Sequence, residues 1–215
     1  ATGPATGDYV AILGTSMASP HVAGAATLLA QANPSWTPAE IQSALMLTTT
    51  QTMRKEDGNT PADFFDMGAG RINVDRALQT GLVMNETGAN YRAADPALGG
   101  DVKNLNTPSM TNAECLIVCT WTRTVTATQA ANWSASGESI TDGFDISVSP
   151  TQFSLQAGQS QTLTVTANMQ SSNAGTQHFG NVVLQADGAN IPDARLPVVA
   201  KASTGTLPEL IEIVA

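Results

Sequence analysis

The sequence is short of charge, shorter still of cations, and holds only two cysteines and two histidines. Lys and Arg number 9 against 18 Asp and Glu, for a formal charge of −9. That balance argues against nucleic acid, whose phosphates need a basic surface, and against an anionic membrane surface. Charged residues make up 13% of the chain, about half the usual share. Thr, Ser, Asn and Gln meet the polar needs instead, a frequent habit of secreted β-rich proteins. No run of about 18 apolar residues exists, so no membrane-spanning helix is expected. The opening stretch "ATGPATGDYVAI" lacks a basic region followed by an apolar one and does not read as a signal peptide. That absence carries little weight if the chain begins inside a longer precursor. At 215 residues the chain can bury one large core or two modest ones.

The cysteines, Cys115 and Cys119, both sit in "ECLIVCTW", with no histidine or third cysteine nearby to make a metal site. In a flat strand, residues four apart lie roughly 13 Å apart. A disulfide between them therefore needs a turn or bulge; two buried thiols are the alternative.

Composition changes near residue 84. Residues 16–32 are rich in alanine, with Val22, Ala25, Ala26, Leu29 and Ala30 at helical spacing. In "TPAEIQSALMLT", Thr37 reads as an N-cap, Pro38 as the first helical residue and Glu40 as the third, completing a capping box. Ile41, Ala44 and Leu45 then share one apolar face. A polar loop over residues 50–70 precedes "INVDRALQTG", a short helix expected to stop at Gly81. A strand is possible over residues 9–13. Three helices and one strand give the alanine-rich helix little to bury against. They form either a small bundle or the tail of an α/β domain whose sheet lies elsewhere.

Beyond residue 83 the pattern turns to period-2 alternation. In "CTWTRTVTAT" the Thr residues fall on one face, with Trp121, Arg123, Val125 and Ala127 on the other. "FDISVSP", "QTLTVTANM", "FGNVVLQAD" and "ARLPVVAKA" follow as strands between turn signals, and "LPELIEIVA" is a further strand-like run. Strands at this spacing suggest a β-sandwich of roughly 100 residues.

"GTSMASPHVAG", residues 14–24, carries the chemistry. Thr15 or Ser16 could simply cap the helix that starts here. The same position also suits a nucleophile, because free backbone N–H groups and the positive end of the helix dipole would stabilise an oxyanion. Gly14 would let substrate or backbone come close. All eleven residues resemble the nucleophile signature of the subtilisin-like serine proteases. "PSWTPAEIQSAL" and "MGAGRINVDRAL" resemble the C-terminal third of that family's catalytic domain. "LNTPSM", "TRTVT", "VSPTQFSLQAGQSQTLTVT" and "GNVVL" resemble the fibronectin type III-like domain that follows it in larger members.

The resemblance implies an α/β fragment, the C-terminal portion of a subtilisin-like doubly wound domain, over residues 1–83. An all-β fibronectin type III-like sandwich would follow over residues 84–215. It makes Ser16 the nucleophile, with the backbone of Gly14, Thr15 and Ser16 supporting the oxyanion site. The family's catalytic Asp and His and its oxyanion Asn lie upstream of this motif and have no matching position here. His21 cannot replace the missing base: five residues along a helix place it roughly 140° around the axis from Ser16. His178, in "GTQHFGN", reads as a strand or turn residue.

Other candidates are plainer. Ser19 is a helix residue, Asp8 and Asp66 are loop carboxylates, and "EDGN" is a solvated turn without EF-hand spacing. The glycosylation sequons at Asn85 and Asn132 matter only in a eukaryotic secretory host.

The leading reading is therefore the C-terminal part of a secreted subtilisin-like endopeptidase acting on protein or peptide substrates. Its chemistry needs no metal or organic cofactor; structural calcium occurs in the family but has no assignable position. The competing reading is a non-enzymatic accessory sandwich for spacing, substrate binding or oligomer contact. In either case the apolar helix faces need a cover, from the remaining N-terminal part of the peptidase domain or from self-association.

Overall fold

The computed structural model describes residues 12, 14–169, 173–188 and 190–204. Most of the possible strand at 9–13, Asp8, and the strand-like run at 207–215 lie outside them. A small α/β segment comes first. It holds helices α1 (Thr15–Ala32), α2 (Pro38–Leu47), α3 (Phe64–Met67) and α4 (Val74–Leu78), then strand β1 (Leu82–Val83). Helix α5 (Gly88–Ala93) and two single turns of 3₁₀ helix lead into the sandwich. Its strands are β2 (Met110–Cys115), β3 (Val118–Ala127), β4 (Ala131–Ser139), β5 (Asp145–Ser149), β6 (Gln152–Leu155), β7 (Ser160–Asn168), β8 (Gln177–Ala186) and β9 (Ala194–Ala202).

Local chemistry explains the helix ends. Helix α2 starts where the capping box was expected: Thr37 accepts from the Glu40 N–H, and the Glu40 carboxylate accepts from the Thr37 N–H (2.7 Å). The polar loop is more structured than its composition suggests. Asp63 accepts from the N–H groups of Phe65 and Asp66, and Asp66 bonds back to the Asp63 N–H, which folds α3. Helix α4 ends at Gln79 rather than at Gly81. Gly81 serves packing instead: a Cβ there would lie 2.6 Å from Ile191 and 2.8 Å from Trp133.

Two sheets pack face to face, one ordered β1-β3-β7-β5 and the other β2-β9-β8-β4-β6. All pairings are antiparallel except β2 with β9. Alternation along β3 buries Cys119, Trp121, Arg123, Val125 and Ala127 and leaves the threonines outward or half-buried. The core joins Trp121, Leu163 and Val165 from one sheet to Trp133, Val182 and Leu196 from the other. Cys115 and Cys119 are disulfide-bonded, with Cα atoms 5.7 Å apart across the turn from β2 to β3. The turn brings the pair within reach, as a flat strand would not.

The helical segment is knitted into this core. Leu82 pairs with Ala127 and Val83 with Thr126, so β1 is the edge strand of one sheet. Leu47 of α2, Leu82 and Met84 are buried in the sandwich core. Ser43 Oγ accepts from the Met84 N–H (2.8 Å). Helix α2 thus finds cover on the sandwich. Helix α1 largely does not: only Ala25 and Leu29 are buried, while Val22 and Leu28 are 44% and 52% exposed.

Arg123 is the charged exception in the core. It is 2% exposed, and its guanidinium donates to the carbonyls of Lys103, Thr107, Ser109 and Thr122. Burial pulls its pKa down to about 10, against the opposing pull of Glu86. The bonds explain why a cation can sit in a buried row: it ties the segment before β2 to β3.

Candidate active site

Ser16 is the second residue of α1 and is exposed. The N-cap is Gly14, with φ 153° and ψ 161°, and no side chain caps the helix. The alternative in which Thr15 or Ser16 simply caps the helix is thus not the one adopted. The Gly14 conformation is one that residues with a Cβ rarely adopt, so the turn into α1 depends on glycine here. The Gly14 carbonyl accepts from the N–H groups of Met17 and Ala18 (3.0 and 3.2 Å). At the start of a helix the N–H groups of Thr15 and Ser16 have no intrahelical acceptor. They point out of the N-terminus, where the dipole favours negative charge. Backbone donors and an exposed hydroxyl thus stand at one helix end, an arrangement suited to acyl transfer.

Among the described residues no base accompanies them. Ser16 makes no side-chain hydrogen bond among the described residues. His21 Nδ1 donates to the Met17 carbonyl (2.6 Å), one turn back along its own helix. His178 is buried in β8, stacked on Phe144 with ring centroids 5.5 Å apart, and its Nδ1 lies 3.2 Å from Thr141 Oγ1. Asp66, expected to be a loop carboxylate, lies in α3; the Asp63 N–H, and then Lys55 (3.0 Å), hold its carboxyl below the usual range. Asp57 of "EDGN" accepts from the N–H groups of Asn59 and Thr60, a local turn. Among the described residues no group of three or more His, Cys, Asp or Glu could hold a metal ion.

Beside α1 runs an apolar groove of about 630 Å³, lined by Val22, Ala26, Ala30, Ile41, Leu45 and Ile72.

Comparison with known proteins gives this geometry a family. Residues 1–70 match the subtilase family, and residues 104–200 match the fibronectin type-III domain. The chain is 33% identical to subtilisin-like protease SBT2.6 of Arabidopsis thaliana, over 89% of its own length and 27% of the relative's. It is 32% identical to subtilisin-like protease SBT1.7 of the same plant over 81% and 27%. Subtilisin-like protease SBT3 of Solanum lycopersicum is 43% identical over a shorter stretch, 39% of this chain and 12% of that protein. The chain thus spans about a quarter of the length of the first two relatives. It is a subtilase-family segment joined to a fibronectin type-III domain.

Proposed function

We propose that the chain is the C-terminal part of a secreted subtilisin-like serine endopeptidase, with Ser16 as the nucleophile. The observation that carries this reading is the placement of Ser16. It is exposed, at the second position of α1, behind a glycine N-cap and beside backbone N–H groups that have no acceptor within the helix. In the whole enzyme Ser16 Oγ attacks the scissile carbonyl and its proton passes to a histidine supplied from upstream. The carbonyl oxygen becomes an oxyanion, held by the Ser16 N–H and an upstream asparagine, with the Gly14–Thr15 backbone shaping the site. The leaving amine takes the proton from the histidine, and water then hydrolyses the acyl-enzyme. An upstream aspartate orients the histidine. No metal or organic cofactor enters these steps. The substrates are proteins or peptides, and the upstream part of the peptidase domain is the partner that completes the site.

The chain by itself is inactive in this account, since serine needs an adjacent base to become a nucleophile. A fluorophosphonate probe tests this directly. It is expected to leave Ser16 unlabelled in the 215-residue chain and to label it in the longer protein. Fast stoichiometric labelling of the short chain would sink the split-machinery reading. No labelling of the longer protein would sink the peptidase reading.

A second reading, in which the sandwich is a non-enzymatic accessory module, draws on the lack of a base beside Ser16 among the described residues, but Leu47, Leu82 and Met84 are buried in the sandwich core. That packing supports a foundation for the nucleophile segment rather than a tethered spacer.

A further inference from the structure

The helical segment and the sandwich enclose a cleft of about 510 Å³. Its two sides carry opposite charges that nothing described pairs across it. On the helical side, Arg76 donates Nε–H to the Thr48 carbonyl (3.1 Å), and its terminal nitrogens have no partner among the described residues. On the sandwich side, Asp193 is half-buried and accepts one hydrogen bond, from Gln185 Nε2 (3.2 Å), with no cation paired to it among the described residues. Arg195 and Glu138 line the same cleft but neutralise one another at 2.7 Å. Gln51 and Asn181 exchange amide hydrogen bonds of 2.9 and 3.2 Å across the junction, which fixes the cleft's inner surface.

A guanidinium and a carboxylate without partners, lining one cleft from two sides, select a ligand carrying the reverse pair of charges. We propose that this cleft binds the free termini of a short peptide, carboxylate toward Arg76 and ammonium toward Asp193. Guanidinium and carboxylate match as a planar fork, which gives the ligand a direction. Ile140 and Met67, in the same lining, offer apolar surface to small aliphatic side chains. Free termini of this kind are what peptide-bond hydrolysis releases, but the site stands on the cleft and does not depend on the role of Ser16.

Isothermal titration of the chain with Ala, Ala-Ala and Ala-Ala-Ala tests it, against N-acetyl-Ala-Ala-amide, whose ends carry no charge. At least one zwitterion of the series is expected to bind saturably, and the capped peptide is not. Asp193→Asn keeps an acceptor for Gln185, so its melting temperature should match that of the unaltered chain. Its affinity should fall about 10-fold or more, the loss of one charged hydrogen bond. Arg76→Gln should abolish binding, but Arg76 also holds the Thr48 carbonyl, so Asp193→Asn is the deciding variant. The proposal is overturned if no member of the series binds, if the capped peptide binds equally well, or if Asp193→Asn binds like the unaltered chain.

Discussion

Helix α1 and strand β3 are both rich in residues suited to burial, yet they meet opposite fates. Every second residue of β3 is buried, including the arginine. Along the 18 residues of α1 only Ala25 and Leu29 are, although the helix is almost entirely apolar or small. A helix apolar on most sides belongs inside a domain. The contrast separates two kinds of completeness. The sandwich core is closed mostly by its own strands, whereas α1 packs one side on α2 and α4 through Ala25 and Leu29 and leaves the rest of its surface exposed. The segment between them shares the sandwich's fate, because Leu47, Leu82 and Met84 are buried with its strands.

Four substitutions or conditions sharpen that contrast, taken from the largest effect downward. Leu82→Ala removes a fully buried side chain from the strand that joins the two regions. It should cost about 2–5 kcal/mol in denaturant unfolding, as core truncations do. A loss under about 1 kcal/mol would mean that β1 is not part of the sandwich core. Arg123→Met leaves four carbonyls without their guanidinium donor. Roughly 3 kcal/mol should be lost, and protection from hydrogen exchange should fall first around residues 103–109.

The third is a change of pH. Burial opposes ionisation of Glu86, but the N–H groups of Asn106 and Thr87 and the Asn90 amide outweigh it and hold the carboxyl below its ordinary value. A depressed folded-state pKa adds stability that is present above the unfolded value and lost as pH falls through the folded one. Acid unfolding of the native chain should therefore carry a component below about pH 4.3 that Glu86→Gln lacks. Identical acid profiles would remove Glu86 from the account. The smallest effect is expected on the bare helix: Leu28→Ser should change the stability of this chain by no more than about 0.5 kcal/mol, despite replacing a leucine. A cost typical of a core leucine would show that α1 is covered after all.

Much of this was legible in the residues. "TPAE" specified a capping box because each of its bonds is local. The alternation in "CTWTRTVTAT" specified which side of β3 faces inward, though not that Arg123 would be neutralised by backbone carbonyls from residues 103–109. That arrangement depends on chain 14 or more residues away, which periodicity does not see. Helix α3 was hidden because four residues show no helical period; only the Asp63 and Asp66 cap pair gave it away. Strands β2, β4 and β6 were missed for a related reason: β6 is four residues long, and "ANWSASGES" mixes small and polar residues on a half-exposed strand. At the site, the position of Ser16 and the unsuitability of His21 followed from helix geometry, whereas the role of Gly14 as N-cap required its dihedral angles. The cleft holding Arg76 and Asp193 arises from two distant stretches meeting, and no sequence motif marks it.

The proposed function rests most heavily on the exposed face of α1 being covered in a longer protein. Hydrogen exchange of the α1 amides, in this chain and in the longer protein, tests that claim most directly. In the 215-residue chain the amides of residues 18–24 should exchange far faster than those of β3 and β8. In the longer protein they should slow to the rates of a buried helix. Equal protection of α1 and β3 in the short chain, unchanged in the longer one, would contradict it.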